Sequence, residues 1–441
     1  MKLTVIGLGK LGLPLACLQA QHHRVFGIDL NQDTVNAINR GRSPIDEPGV
    51  EDLIDEVVLV TGQLTAHSNY GPVTGTDMSM VIVPTPSGGL GAFSSQYVIE
   101  ALREIGTAIA GQVNRHVVVI CSTVMPGECD GFRSVLEKYS GKEVGGRDLG
   151  LVYSPEFIAL GTVIEDMKWP AVTLIGESDE ESGRAYLQVA RSITNEGPGL
   201  PPYRRMSLTS AEIAKISLNA YVTMKISFAN VLGEVCERYA EADAFEIAQA
   251  IGLDPRVGKQ YLRPGGPYGG PCFPRDNRAF ALVGENVGVS MPLAKATDEI
   301  NDRQIDRMVR HLASYSQRTV GILGLSYKPG TSITEESFGI KLAKALEAEG
   351  YEVRVFDKGV QRKVGVLPLD VMWHTDLGMC VGNDVITVIA NPDPAIVGHF
   401  PTVLSGEARQ GAVIIDPWDC IPKGPWDETH VIRLGRCSNA A

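Results

Sequence analysis

Six residues near the start of the chain limit the possible fold more than any others. Gly7-Leu8-Gly9-Lys10-Leu11-Gly12 follows directly on an apolar run at 3–6 and opens helix-forming sequence, while a second apolar run ends at Asp29. A strand, a glycine turn and a helix in that order describe a dinucleotide-binding turn. Gly7 permits the tight turn, Gly9 lets the backbone approach a pyrophosphate, and Gly12 lets the helix pack closely on the sheet. The backbone from Leu8 through Lys10 to Leu11 then leads into a helix amino end, whose N–H donors suit a phosphate. Asp29, about 20 residues on, accepts from a ribose 2′-OH and repels a 2′-phosphate, so NAD is expected rather than NADP.

The rest of the chain repeats that logic. Apolar runs at 25–28, 80–83, 117–120, 150–153 and 172–175 have the length of buried strands, with helical periodicity between most of them. They read as βαβ units in a doubly wound parallel sheet. Pro198-Gly199-Leu200-Pro201-Pro202 reads as a linker, and Thr209-Ser210-Ala211-Glu212 as a helix-opening capping box. A helix is expected from there to about Tyr239. Its apolar positions Ile213, Ile216, Ala220, Met224, Ile226, Phe228, Val231 and Val235 suggest burial between domains and an oligomer contact.

A Gly/Pro-rich loop follows at 263–274. A second α/β block then begins at Thr319-Val320-Gly321-Ile322-Leu323-Gly324, with a helix near 337–349, a strand ending at Asp357, and further strands at 385–389 and 412–415. The expected fold is α/β: two Rossmann-like doubly wound parallel-sheet domains joined by a long central helix and a helical middle domain. The boundaries fall at 1–203, 204–308 and 309–441.

Composition removes several function classes. Forty basic residues against 52 acidic ones leave a net charge of −12, and 44% of the 441 residues are hydrophobic. This is too apolar for a disordered polymer, and without a Lys/Arg block it gives no general nucleic-acid or anionic-membrane surface. Any anionic ligand has to be caught locally. The eight cysteines form no CxxC pair and the eight histidines no HxH or HxxxH cluster, so no metal is expected. No apolar run reaches the roughly 20 residues of a membrane span. The opening Lys2-Leu3-Thr4-Val5-Ile6 does not look like a leader, so a reduced, cytoplasmic protein is expected.

A second constellation is Gly269-Gly270-Pro271-Cys272-Phe273-Pro274-Arg275-Asp276, a thiol on a glycine-rich loop beside a cation and a carboxylate. Most unpaired cysteines are small core residues, but two glycines and two prolines make a poor core strand, and a nearby arginine favours a thiolate.

With this loop the sequence resembles the UDP-glucose/GDP-mannose dehydrogenase family over nearly its whole length. The other matching motifs are Glu47-Pro48-Gly49, Val83-Pro84-Thr85-Pro86, Ser122-Thr123-Val124-Met125-Pro126-Gly127, Ser154-Pro155-Glu156-Phe157, Ala211-Glu212 with Lys215 and Asn219, Asp254-Pro255-Arg256-Val257-Gly258, and Gly324-Leu325-Ser326-Tyr327-Lys328. The resemblance implies oxidation of a sugar C6 alcohol to a carboxylate with two NAD+ per turnover. Cys272 is implied as the nucleophile, Lys215 and Asn219 as donors to the oxyanions at C6, and Asp276 as a carboxylate in proton transfer. Glu156 is implied in activating the hydrolytic water, and Thr123 in orienting it. Pro84, Thr85, Thr123 and Arg275 fall where the family contacts the cofactor. Glu156, Phe157, Ile158, Lys215, Asn219, Tyr261, Leu262, Gly265, Gly269 and Lys328 fall where it holds the sugar nucleotide, and Arg256 where an arginine reaches the neighbouring subunit's substrate. A homodimer or higher homo-oligomer follows from that last role.

Four positions depart from glucose-type members. Leu160 replaces a second Glu, Arg275 replaces a Lys, Glu335-Glu336-Ser337 brings an acid where an Arg is frequent, and Asp416-Pro417-Trp418 replaces an Asp-x-Arg. Val-Pro-Thr-Pro and Gly-Gly-Pro-Cys look more like the UDP-N-acetylhexosamine branch, whereas Phe273-Pro274-Arg275-Asp276 looks more like the glucose and GDP-mannose branches. A UDP-N-acetylhexosamine is the preferred substrate expectation and UDP-glucose the alternative. A two-electron hydroxyacid-type dehydrogenase and a non-catalytic nucleotide-binding regulator are the competing readings.

Overall fold

The computed structural model describes residues 1–88, 91–195, 202–362, 365–400, 412–424 and 431–437. Of the expected linker at 198–202, only Pro202 lies among them. The chain divides into two compact units, Met1–Ile216 and Ser217–Ala441.

The first unit is built on an eight-stranded sheet. Its strands are β1 (Lys2–Ile6), β2 (Arg24–Ile28), β3 (Leu64–His67), β4 (Met78–Val81), β5 (His116–Ile120), β6 (Leu149–Tyr153), β7 (Thr173–Glu177) and β8 (Tyr203–Ser207), in the spatial order β3-β2-β1-β4-β5-β6-β7-β8. Side chains alternate across this sheet between two apolar layers. Leu3 and Val5 of β1 and Val117 and Val119 of β5 enter one core; Ile6, Val118 and Ile120 enter the other. With both faces buried, the strands read as unbroken apolar runs rather than as an alternating pattern.

The order reverses between β1 and β4, and there the glycine turn meets the β4 loop: a Cβ on Gly7 would lie 2.6 Å from the Ile82 carbonyl oxygen. One expectation needs correction. The sheet is parallel through β6, but β7 pairs antiparallel with β6 and parallel with β8. A parallel neighbour needs a crossover that carries the chain back along the full strand, usually on a helix of matching length. Here the 154–172 connection contains only the short helix Val163–Lys168 and returns the chain reversed.

Strand β8 passes directly into the long helix Leu208–Cys236. The capping box expected at Thr209–Glu212 is absent. Ser207 Oγ accepts from the Ser210 N–H at 3.2 Å, which puts the cap two residues earlier, and the Glu212 carboxylate has another use described below.

The second unit carries a six-stranded sheet, entirely parallel in its pairings: β9 (Thr319–Leu323), β10 (Glu352–Phe356), β11 (Met372–Trp373), β12 (Val385–Ile389), β13 (Val413–Asp416) and β14 (Val431–Arg433), ordered β11-β10-β9-β12-β13-β14. Its turn reproduces that of the first unit. Gly7 has φ +93° and Gly324 φ +95°. Gly7 N donates to the Ile28 carbonyl at 2.8 Å and Gly324 N to the Phe356 carbonyl at 2.8 Å. Leu8 N and Leu325 N both donate to the aspartate that follows the second strand of their sheet, Asp29 at 2.9 Å and Asp357 at 2.6 Å. The likeness between the two blocks is therefore one of backbone geometry.

Candidate active site

In the first unit, Gly12 and Gly9 do different jobs. A Cβ on Gly12 would sit 1.8 Å from the Gly7 carbonyl oxygen, so close packing alone demands glycine there. A Cβ on Gly9 would meet nothing within 4 Å, so protein packing leaves that side open to a ligand. Leu8 is buried, whereas Gly9 and Lys10 are exposed at the start of the helix Gly12–Ala20. Asp29 Oδ2 accepts from Leu8 N and Oδ1 from Asn31 N, both at 2.9 Å. Those bonds fix the carboxylate at the end of β2, and its further lone pairs suit a ribose hydroxyl. These features fit NAD, which when bound accepts the hydride.

The loops after β4 and β5 are tied together. Thr85 Oγ1 donates to the Thr123 carbonyl at 2.8 Å, and Ser122 Oγ to the Val83 carbonyl at 2.7 Å. Exposed Pro84 sits between these contacts. Glu212 adds a third tie that sequence reasoning missed. Wholly buried, its carboxylate accepts from Gly127 N at 2.7 Å and Cys129 N at 2.8 Å, which caps the helix Glu128–Ser140. Gly127 itself has φ +92° and no side chain with which to cap. The long helix is thereby pinned, three residues before Lys215, to the loop that carries Thr123.

Lys215 Nζ donates to the Glu156 carbonyl at 2.6 Å and lies 4.4 Å from the centroid of the Phe157 ring. Burial raises the Glu156 carboxyl from its usual 4.5 to about 7, against the opposing pull of Lys215. A carboxyl poised near neutrality is the kind that general acid–base chemistry uses. The segment it stands on, including half-buried Phe157 and Ile158, is held by Glu47. The Glu47 carboxylate accepts from Gly161 N and Val163 N, both at 2.9 Å. Leu160 packs on the first unit's core, so the position that carries a second Glu elsewhere has become a packing residue.

In the second unit, Cys272 is exposed at the amino end of the 14-residue helix Phe273–Asn286, and none of the eight cysteines is in a disulfide. Asp276, one turn on and wholly buried, accepts from Asn219 Nδ2 at 2.6 Å and from Arg275 Nε at 3.1 Å. The Asn219 amide and the Cys272 helix are thus joined through one carboxylate. The buried face of the long helix is polar here, with Asn219, Thr223, Ser227 and Asn230 all buried.

The glycines of the preceding loop are required by its neighbours. A Cβ on Gly269 would lie 2.3 Å from the Glu336 carbonyl oxygen, and one on Gly270, which has φ +84°, 2.5 Å from the Tyr327 ring. Gly265 faces the Trp418 ring in the same way. Buried Leu262 and exposed Tyr261 precede it, and the Tyr261 and Phe273 rings meet edge to face at 6.0 Å. Half-buried Lys328 follows Tyr327 directly. The structure does not bring Arg256 into this cluster: it is exposed and paired with Asp254 at 2.6 Å.

Three consecutive profiles of one family match the chain. They are the NAD binding domain of the UDP-glucose/GDP-mannose dehydrogenase family at residues 1–194, its central domain at 209–303 and its UDP binding domain at 321–423. The chain belongs to the UDP-glucose/GDP-mannose dehydrogenase family. It is accordingly an NAD-dependent oxidoreductase of the nucleotide-sugar dehydrogenase kind. GDP-mannose 6-dehydrogenase of Azotobacter vinelandii is 32% identical over 410 residues, covering 89% of this chain and 92% of that protein. UDP-glucose 6-dehydrogenase of Haloferax volcanii is 32% identical over 362 residues, 81% of this chain and 83% of that one. The solved UDP-glucose dehydrogenase of Pyrobaculum islandicum superposes with a TM-score of 0.83 at 31% identity, covering 96% of this chain and 97% of that one. No helix among the described residues is long and apolar enough to cross a membrane.

Proposed function

We propose that this family member oxidises the C6 alcohol of a nucleotide-diphosphate hexose to the carboxylate in two NAD-dependent steps, with Cys272 as the covalent nucleophile. The observation that carries this reading is an exposed thiol at a helix start, one turn from a buried carboxylate bound to Asn219.

The alcohol first loses a hydride to NAD+ and a proton to solvent, giving an aldehyde. An aldehyde carbon has no second hydride to give until a nucleophile adds, and Cys272 Sγ supplies that bond. The thiohemiacetal then loses a hydride to a second NAD+ and a proton, leaving a thioester. Water cleaves the C–S bond, releasing the acid and restoring the thiol. Glu156, with a proton affinity near neutrality, activates that water with Thr123 beside it, and Lys215 and Asn219 donate to the C6 oxyanion. Asp276 relays protons. Lys328, Tyr261, Leu262, Gly265 and Gly269 hold the sugar nucleotide.

The expectation of a UDP-N-acetylhexosamine gives way in this reading to a plain hexose, carried as GDP-mannose or UDP-glucose. Gly-Gly-Pro-Cys had favoured the acetylated sugars, but packing against Glu336 and Tyr327 already accounts for both glycines, so they carry no vote on the sugar. The relatives described above, each over 30% identical, are named for glucose and mannose nucleotides.

A homodimer is supported by the exposed face of the long helix. Leu218, Tyr221, Phe228 and Val235, with Tyr239 just beyond it, are large exposed apolar residues at heptad spacing. Exposed Arg256 is available to reach a neighbouring copy's substrate.

The test is NADH release over UDP-glucose, GDP-mannose, UDP-N-acetylglucosamine and UDP-N-acetylmannosamine, with product mass. Two NADH per sugar and a uronic acid are expected with a plain hexose, and Cys272→Ser should lose at least about a thousandfold in net turnover. One NADH per sugar, or an unimpaired serine variant, would favour the two-electron reading and defeat this one.

A further inference from the structure

Against the backbone of the proposed substrate loop the second unit has a partly open cavity of about 470 Å³, a size typical of small-molecule sites. One wall is the backbone of Gly265–Pro267, and the opposite wall comes from the helix Pro292–Leu312 and the end of the long helix. Its lining shares Gly265 with the residues proposed to hold the sugar nucleotide but includes neither Cys272, Asp276, Tyr261 nor Lys328, so it lies apart from the thiol and its carboxylate.

The charges around it do not balance. Glu237 is engaged by Arg307 and by Gly435 N, the latter at 2.8 Å. Glu234 is engaged by Arg303 at 3.1 Å and Gln304 at 2.9 Å. That leaves Arg238 and Arg310 at the mouth with no carboxylate partner among the described residues. Inside, His311 Nε2 is buried and has no hydrogen-bond partner there. Arg238 and Arg310 are exposed and solvated, so they cost the fold nothing and are free to meet an anion, while the buried imidazole nitrogen without a partner is the group that burial penalises. In a chain of net charge −12 this is a local reversal of sign.

We infer that this cavity binds a small dianion, a phosphorylated or dicarboxylic metabolite, and that its occupant braces the substrate loop from behind. Arg238 and Arg310 contact the anion as charge-assisted donors, and the His311 ring forms part of the wall beside them. The loop is suited to respond. Asn230 of the long helix accepts from Gly265 N at 2.9 Å and donates to the Gly266 carbonyl at 3.3 Å, while the Cβ direction of Gly266 points at Phe338 and Trp418. A ligand in the cavity adds a further contact to the Gly265–Pro267 backbone, which lines it.

The experiment is calorimetric titration of the full-length protein in phosphate-free buffer with inorganic phosphate, pyrophosphate and succinate, each with UDP and NADH already saturating. Expected are one site per chain, weakening with salt, and an affinity at least about tenfold lower in the Arg238→Ala/Arg310→Ala variant. That variant should melt like the wild type. Bound anion should also slow amide hydrogen exchange at 263–268 in the wild type alone. Phosphate or succinate as the better probe identifies the source of the dianion. The inference fails if no probe binds, if UDP abolishes binding, if the variant binds equally well, or if the substitutions change oligomeric state instead, which would make the arginines contacts to a second copy.

Discussion

Glu156 shows how one residue's surroundings convert an ordinary carboxylate into a group that titrates near neutrality. The folded-state value of about 7 lies above the usual 4.5 because burial outweighs the attraction of Lys215. Between those two pH values the folded chain holds a proton that the unfolded chain has released. This carboxyl therefore costs the fold stability as pH rises from about 4.5 to 7, and the cost is fully present above that. In its proposed role as the base for thioester hydrolysis it acts in its ionised form, so turnover should climb through about pH 7 and then level off. Glu156→Gln should be slow at every pH, lose that limb, accumulate the Cys272 acyl-enzyme visible by intact mass, and yet melt higher than wild type at pH 8. A variant that kept the limb near pH 7 would remove Glu156 from the role.

At the scale of elements, the long helix is organised against first expectation. Phe228 and Val235 belong to the face read from the sequence as buried, but they are exposed, 52% and 48%, while Asn219, Thr223, Ser227 and Asn230 face inward. Each inward polar group has a specific partner: Asn219 binds Asp276, Thr223 the Ala220 carbonyl, Ser227 the Thr297 carbonyl and Asn230 the Gly265 N–H. The same helix caps another through Glu212. Glu212→Ala removes two charge-assisted bonds and leaves the buried Cys129 N–H without an acceptor, so a loss of roughly 2–3 kcal/mol is expected in denaturant unfolding. Because the Thr123 loop loses its anchor, NAD should also bind more weakly. Unchanged stability would mean that the helix start finds another acceptor.

For the whole molecule, the exposed heptad face is the feature a monomer does not explain, since isolated large apolar side chains are common on surfaces but an aligned stripe is not. Replacing Tyr221 and Phe228 together with Lys should give a monomer by light scattering. It should also abolish turnover if Arg256 serves the neighbouring copy, and Arg256→Ala should then lose activity while remaining dimeric. A double variant that stays dimeric would place the interface elsewhere.

Much of this protein was legible from the chain because it is local. The turn at Gly7–Gly12, Asp29 at the end of β2, the second block from Thr319 and the thiol on its glycine loop depend on residues close in sequence, and the structure places each where its spacing implies. What the chain could not announce are pairings across long separations and the effects of burial. The reversal of β7, the true cap before the long helix, Glu212 bound to a helix start more than 80 positions earlier and the clash surfaces that require Gly269 and Gly270 are decided by which segments meet. The short strands β3, β11 and β14 form only because neighbouring strands supply their hydrogen bonds. The proton affinity of Glu156 has the same origin: sequence supplied the carboxyl, and only the folded surroundings removed the water that would have kept it ordinary.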